Sequence, residues 1–334
     1  MDLEQKIKTI ASFGEEIIDQ KSLQSLLEKK QTPIVYDGFE PSGRMHIAQS
    51  IIRVLNANKL IKAGCKVKFV LADWFAFMNL KLGGDIDKIR NAGKLFIENW
   101  KACGLDMSNV EFVWTSEMIK DPKYWELVMN IATKFTVPRI TKCTQIMGRG
   151  DKETLMASQI FYPVMQTADI FYLGADICNL GLDQRKVNML AIEYCQKTGN
   201  NNPPVIISNH MLMGLKGKKM SKSDPESAIF LDDTKEQVIQ KIMKSYCPPK
   251  IIEANPLLEY IKYIIFPYFD NFYKYKNYND FEDDFKLDKF DIKTLKENVA
   301  NEINKILEPI RKYFEENEEA KKLSNLVKTY TITK

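Results

Sequence analysis

Tyr36-Asp37-Gly38-Phe39-Glu40-Pro41-Ser42-Gly43-Arg44-Met45-His46-Ile47-Ala48-Gln49 carries an apolar run, Pro33 to Asp37, through a turn into a helical pattern, His46 to Ala63, that Gly64 stops. A short apolar run ahead of a turn reads as a strand covered on both faces. Pro41 and Ser42 make the turn, Gly38 and Gly43 allow the backbone to approach a ligand closely, and the helix is expected to begin near Arg44. Unpaired N–H groups and the positive end of the helix dipole face outward there, so the turn is an anion site. His46 and Gln49 are three residues apart on one helix face, suited to donate hydrogen bonds to a phosphate chain. The alternative is a plain strand-to-helix turn whose backbone satisfies His46.

The same alternation recurs outward from this segment. Val67 to Ala72, Val110 to Thr115, Ala175 to Leu180 and Val205 to Ser208 read as strands, and Ile86 to Ala102 and Lys123 to Phe135 as helices. The pattern predicts an α/β fold, a Rossmann-like doubly wound parallel sheet over residues 1–238. No G-x-G-x-x-G fingerprint accompanies it, which speaks against a nicotinamide dinucleotide. After about Ile239 the chain turns rich in Lys, Asn, Phe and Tyr, and residues 239–334 read as a mainly α-helical domain. Its helices are expected at Pro256 to Ile265, Ile292 to Phe314 and Glu318 to Val327, with a polar, aromatic stretch from Asn271 to Phe290 between them.

Composition narrows the chemistry. The 334 residues are 45% hydrophobic and 28% charged, enough for a large core, and the formal charge of +4 is too small for nucleic-acid binding to be a whole-chain property. No long apolar run or signal-type start is present, so a soluble cytoplasmic chain is expected. The six cysteines are scattered without a C-x-x-C pair, and there are only two histidines, His46 and His210, so no structural metal is expected. G-x-S-x-G, H-E-x-x-H and P-loop patterns are absent.

A second segment, Gly214-Leu-Lys-Gly-Lys-Lys-Met-Ser-Lys-Ser223, combines two glycines, four lysines and two serines. Alone it reads as a solvated surface loop. Beside the first segment it supplies movable charge and hydroxyl donors for a charge that appears transiently, as on a transferring phosphoryl group. Together the two resemble the signatures of class I aminoacyl-tRNA synthetases: His46-Ile-Ala-Gln49 is similar to the HIGH motif, and Lys219-Met-Ser-Lys-Ser223 reads as KMSKS. Ala48 and Gln49 stand where that pattern has Gly and His, and glutamine brings a donor without a positive charge.

Tyr36 to Gly43, Tyr162-Pro-Val-Met-Gln166-Thr-Ala-Asp169 and Gly181-Leu-Asp-Gln184-Arg-Lys186 narrow the resemblance to tyrosyl-tRNA synthetases of the archaeal and eukaryotic type. It implies that Tyr36 and Asp169 bind the phenol hydroxyl of tyrosine, and that Tyr162, Gln166 and Gln184 hold its ammonium and neighbouring polar groups. Tyr162, Gln166 and Asp169 fall at i, i+4 and i+7, so one helical face presents all three. Burying that face is expensive unless a polar ligand satisfies it. The structural alternative is a partner-paired Asp169 in a core helix. Tryptophanyl-tRNA synthetase is the nearest competing family, but an indole offers a donor and no acceptor, so a site with both Tyr36 and Asp169 suits a phenol better.

By the same resemblance, tyrosine is activated with ATP and transferred to the 3′-terminal adenosine of tRNA(Tyr). His46 and Gln49 meet the ATP phosphates, Gly38 and Gly43 let the backbone approach the nucleotide, and Asp183 meets the ribose. Lys219, Ser221 and Lys222 meet the departing pyrophosphate, with Met220 and Ser223 completing the ATP site, and Mg2+ accompanies ATP. Arg185 and Lys186 are expected at the first base pair of the acceptor stem, with Arg139 and Lys142 as weaker candidates. The helical domain is expected at the anticodon, though Thr294 replaces an Asp of that pattern and Asp291, three residues back, is a weak substitute. Phe266, Phe269 and Tyr273 read as core rather than base platforms. A homodimer is expected through Val113 to Phe135, within a dimer and acceptor-stem segment of about 113–160, and without the C-terminal module some eukaryotic relatives carry. Two other classes stay open: a non-catalytic RNA-binding relative, and a nucleotidyltransferase acting on another small acid.

Overall fold

The computed structural model describes residues 1–148, 154–220 and 224–333. Six strands, β1 (Gly14–Ile18), β2 (Ile34–Phe39), β3 (Lys66–Leu71), β4 (Val110–Trp114), β5 (Ile177–Gly181) and β6 (Val205–Asn209), form one sheet. Their order is β1-β6-β5-β2-β3-β4, and each pairing is parallel except β1 with β6. β5 and β6 are buried along their whole length, which is why their sequences show no alternation. β1 makes the sheet mixed rather than wholly parallel. Its sequence, Gly-Glu-Glu-Ile-Ile, lacks an apolar run because an edge strand is covered less completely, and Glu15 stays exposed. Strand order reverses at β2, so the crevice between the carboxyl ends of β2 and β5 is where a doubly wound sheet receives a ligand.

Helix Ile47–Lys62 leaves β2 with His46 as N-cap, two residues beyond Arg44. The later start has a cause: Ile47 donates its N–H to Ile229 O (2.9 Å), and His46 bridges Phe230 in antiparallel fashion, which holds the preceding chain extended. At the far end Gly64 takes φ +96°. Its N–H donates to Ile61 O and that of Cys65 to Leu60 O, a left-handed stop that glycine makes without a Cβ penalty. Helix Ile86–Ala102 matches its expected span. Its Trp100 indole donates to Gln49 O (3.1 Å) and stacks on Phe69 of β3, tying the first turn of Ile47–Lys62 to the core.

From Lys235 onward the described regular elements are helices, the longest being Ile292–Glu316. The 238/239 junction lies inside helix Lys235–Met243, whose Val238 and Ile242 share a core cluster with Val299 and Ile303. Pro256 to Ile265 is continuous but changes type: α-helix Pro256–Tyr260 gives way to π-helix Ile261–Ile265. Helix Tyr278–Lys286 lies within the stretch read as polar and aromatic. Its signals were short but present: the Asn277 side chain accepts from Asp280 N (3.0 Å), and Phe281 and Phe285 bury one face. Glu318–Lys328 returns to the first half of the chain, where Val327 packs with Leu82, Ile89, Ala92 and Leu95. Among the described residues no helix is long and apolar enough to cross a membrane.

Candidate active site

A cleft of about 600 Å³ opens over the carboxyl ends of β2, β5 and β6. Tyr36, Gly38, His46, Gln49, Tyr162, Gln166, Asp183, Gln184 and Met220 all line it, although they come from four separate segments of the chain.

One wall is helix Ala157–Tyr172, whose Tyr162, Gln166 and Asp169 are buried on one face. The Tyr162 hydroxyl donates to Glu40 Oε1 (2.7 Å), and Gln166 Nε2 donates to Gln184 Oε1 (3.1 Å). Gln184 is oriented in turn by Ile146 O, which accepts from its Nε2 (3.0 Å). Asp169 lies behind the lining. Tyr124 donates its hydroxyl to Asp169 Oδ1 (2.7 Å), while Oδ2 is buried with no hydrogen-bond partner among the described residues. Burial pushes the Asp169 carboxyl up to about 7, the Tyr124 hydrogen bond opposing it. Tyr36 is likewise held well above its ordinary value, first by burial and then by the charge of Asp169. The phenol and the carboxylate therefore share one buried end of the site.

Gly38 has a local reason beyond nucleotide approach: a Cβ there would stand 2.8 Å from the Tyr36 hydroxyl, whose ring folds over it. Gly43 is not part of the lining. It takes φ +111° and packs against Ile332 near the C-terminus, so its glycine is demanded by the turn and by that contact. His46 caps the adjoining helix without a side-chain cap bond, and Gln49 Oε1 is buried with no hydrogen-bond partner among the described residues.

The second signature begins in a two-stranded hairpin, β7 (Met213–Gly214) with β8 (Lys218–Lys219), in which Lys219 pairs with Met213. Gly214 is required by close packing, since a Cβ would meet Lys218 O at 2.9 Å and Ser227 O at 3.0 Å. Ser221, Lys222 and Ser223 lie outside the described residues.

Several groups of the site carried no sequence signal strong enough to single them out. Glu40 sits inside the opening segment, and besides Tyr162 it accepts from Asn79 Nδ2 (3.0 Å). Asp37 is fully buried, and burial pushes its carboxyl up to about 7 against Arg53, whose Nη1 stands 3.5 Å away. Below the cleft floor an amide chain runs from Asn56 Nδ2 to Asn209 Oδ1 (2.9 Å), Asn209 Nδ2 to Asn179 Oδ1 (2.8 Å) and Asn179 Nδ2 to Asp37 Oδ2 (3.2 Å). These asparagines, from helix Ile47–Lys62, the middle of β5 and the end of β6, carry no shared local pattern until the fold brings them together.

The remaining candidates are dispersed. Arg185 and Lys186 are exposed at the start of helix Arg185–Thr198, and Arg185 is paired to Glu16 (2.9 Å). Arg139 pairs with Glu193 (2.6 Å). Phe266 is core, whereas Tyr273 is 46% exposed, a departure from the core reading. Tyr273 takes φ +51°, its hydroxyl accepts from Asn298 Nδ2 (2.8 Å), and with Phe290, Asp291 and Thr294 it lines a hollow of about 450 Å³. Asp291 is engaged as the N-cap of Ile292–Glu316, accepting from Thr294 N (2.8 Å). Among the described residues no group of three or more His, Cys, Asp or Glu side chains is arranged to hold a metal.

The family described as tRNA synthetases class I (W and Y) matches residues 28–308. Tyrosine–tRNA ligase 1, cytoplasmic, of Arabidopsis thaliana is 51% identical over the whole chain and 90% of its own length. The tyrosyl-tRNA synthetase of Leishmania major, solved with tyrosinol, superposes with a TM-score of 0.94 at 46% identity, covering 99% of this chain and 61% of that one. The tryptophanyl-tRNA synthetase of Aeropyrum pernix K1 superposes with a TM-score of 0.71 at 20% identity, covering 92% of this chain and 84% of that one, which is a likeness of fold.

Proposed function

The chain belongs to the class I tRNA synthetases, on their tyrosyl branch, and from that membership we propose how its own residues divide the work of joining tyrosine to tRNA. The reaction activates L-tyrosine with ATP to tyrosyl-adenylate and pyrophosphate, then passes the tyrosyl group to the 3′-terminal adenosine of tRNA(Tyr). The observation that supports the assignment is the buried Asp169 carboxyl, whose second oxygen has no protein hydrogen-bond partner among the described residues, with the buried Tyr36 phenol near enough to feel its charge. A phenol that donates to that oxygen and accepts from the Tyr36 hydroxyl satisfies both, and a phenylalanine ring satisfies neither.

Tyr162, Gln166 and Gln184 hold the ammonium end of the substrate. The tyrosine carboxylate attacks the α-phosphorus of ATP, forming the acyl–phosphate bond as the bond to pyrophosphate breaks. A carboxylate is already ionised at neutral pH, so this step needs no general base, only alignment and charge stabilisation. His46 and Gln49 donate to the phosphates from the start of their helix, Gly38 lies at the nucleotide, and Asp183 accepts from the ribose. Lys219, Ser221 and Lys222, with Met220 and Ser223, follow the departing pyrophosphate. Mg2+ would accompany ATP as its counter-ion and supply charge neutralisation there.

On the RNA side, Arg185 and Lys186 follow Asp183 and Gln184 directly, so the acceptor stem meets them at the mouth of the cleft. Tyr273 is the better anticodon platform, because its ring is exposed beside a hollow. The functional unit is a cytoplasmic homodimer. Its contact face includes Trp125 and Met129, which are 37% and 47% exposed. Tyrosine-dependent exchange of pyrophosphate into ATP, run beside tryptophan and phenylalanine, tests the assignment. Exchange with tyrosine alone is expected, and exchange with tryptophan alone would overturn the pocket.

A further inference from the structure

His210, one of only two histidines, joins three parts of the chain. Its Nδ1 is hydrogen-bonded to Glu15 Oε2 on β1 at 3.0 Å, and its Nε2 lies 3.2 Å from Glu259 Oε2 on helix Pro256–Tyr260, an ion-pair distance without hydrogen-bond geometry. Its ring stacks on Tyr263 with centroids 4.2 Å apart. The same Glu259 oxygen accepts the backbone N–H of Met213 at 2.6 Å. Met213 opens β7 and pairs with Lys219, the first residue of the second signature. A carboxylate from the C-terminal helices thus grips the root of the hairpin whose second strand ends at Lys219.

We propose that Glu259 is a positioning residue for tyrosine activation: it fixes the root of the β7–β8 hairpin through Met213, and the His210 imidazolium holds its carboxylate in place. The inference rests on the reading of Lys219 to Ser223 as the pyrophosphate-stabilising segment.

The other ties on the hairpin act elsewhere. Tyr246 N donates to Leu215 O (2.8 Å) and Leu215 N to Ser227 O (2.9 Å), while the Lys216–Asp224 pair is largely exposed and correspondingly weak. Glu259 alone among these reaches the residue opposite Lys219, and a hydrogen bond to an ionised acceptor is the stronger kind.

Burial opposes the charge on His210, but the Glu259 and Glu15 carboxylates outweigh it and the imidazole is raised above 6.5. Lys59 and Lys262 are the cations that share a small cavity with His210 and Tyr263. The imidazolium is present below the raised value and is lost as pH climbs through it, so the grip on Glu259 loosens on the alkaline side.

The test measures tyrosine-dependent pyrophosphate exchange between about pH 6 and pH 9, across the imidazole range, for wild type, Glu259→Ala, Glu259→Gln and His210→Gln, with tyrosine binding followed by calorimetry. Glu259→Ala is expected to lower the exchange kcat by about tenfold with tyrosine affinity unchanged. Glu259→Gln keeps an acceptor for Met213 and retains most of the rate, and His210→Gln flattens the alkaline fall. Unchanged exchange in Glu259→Ala, equal losses in rate and tyrosine affinity, or a wild-type pH profile in His210→Gln would each overturn the proposal. If wild type itself fails to exchange with tyrosine, the assigned activity fails instead. The brace is then read from amide hydrogen exchange over Met213 to Lys219, where Glu259→Ala must lower protection for the proposal to stand.

Discussion

Tyr124 donates its hydroxyl to one oxygen of Asp169 at 2.7 Å and leaves the other oxygen, fully buried, without a donor among the described residues. The pair comes from two helices, Pro122–Ala132 and Ala157–Tyr172, and its geometry fixes which carboxylate oxygen is bonded and which is not. Tyr124→Phe removes the one protein hydrogen bond that favours the ionised carboxyl, so Asp169 moves further above about 7. A hydrogen bond to a buried charged group is worth about 1.5–3 kcal/mol. Tyrosine affinity is therefore expected to fall by roughly tenfold or more near neutral pH, with part of the loss recovered at higher pH as Asp169 ionises. Calorimetric titrations at two pH values check this; an unchanged affinity would remove Tyr124 from the site.

Asp37 and Asp169 give the unliganded protein a pH signature. Burial pushes each carboxyl up to about 7 from 3.8. With the folded value above the unfolded one, the native state binds protons first, and stability falls as pH rises between the two values. His210 acts in the same direction, because its raised pKa makes its contribution disappear on the alkaline side. The melting temperature without ligand is expected to be higher in mildly acidic buffer than in mildly alkaline buffer. Asp37→Asn should shrink that difference, and a flat profile in wild type would show that neither carboxyl is shifted as described.

The sequence made the central strands, the first turn and the two signatures readable because each is local: an apolar run, a glycine-bearing turn, a lysine-rich hairpin. What stayed hidden depends on contacts between distant segments. β1 has an edge strand's polar sequence and is recognisable only beside β6. Glu40 was in view but uninterpretable until Tyr162, on a helix 122 residues away, brought its hydroxyl within 2.7 Å. Tyr273 sat among buried aromatics at a spacing that suggested core, and only its left-handed backbone turns the ring outward. Gly43 reads as a nucleotide glycine from its place in the turn alone. Its neighbour turned out to be Ile332, from the opposite end of the chain.

Gly38→Ala separates space from chemistry at the Tyr36 end of the cleft. The new Cβ would press to 2.8 Å on the hydroxyl of Tyr36, which lines the cleft, so the ring must shift. Overpacking of this kind costs about 1–3 kcal/mol. Tyr36 is the group expected to move, so tyrosine affinity should fall more than the melting temperature alone would suggest. Loss of stability with intact tyrosine binding would mean that the strand, not Tyr36, absorbs the methyl group.

Helix Pro122–Ala132 faces two ways. Tyr124 is fully buried against Asp169, while Trp125 and Met129, one turn apart, are 37% and 47% exposed. Large apolar side chains held outward on a regular helix suit a subunit interface, and a stable one covers roughly 800 Å² per partner. Met129→Glu places a charge in such a contact and should convert a dimer to a monomer on light-scattering chromatography. Because the same helix carries Tyr124, freeing its outer face should loosen the Tyr124–Asp169 pair, so the dissociated variant is expected to bind tyrosine more weakly and in a concentration-dependent way. A monomeric variant with wild-type tyrosine affinity would show that the two faces of the helix act independently.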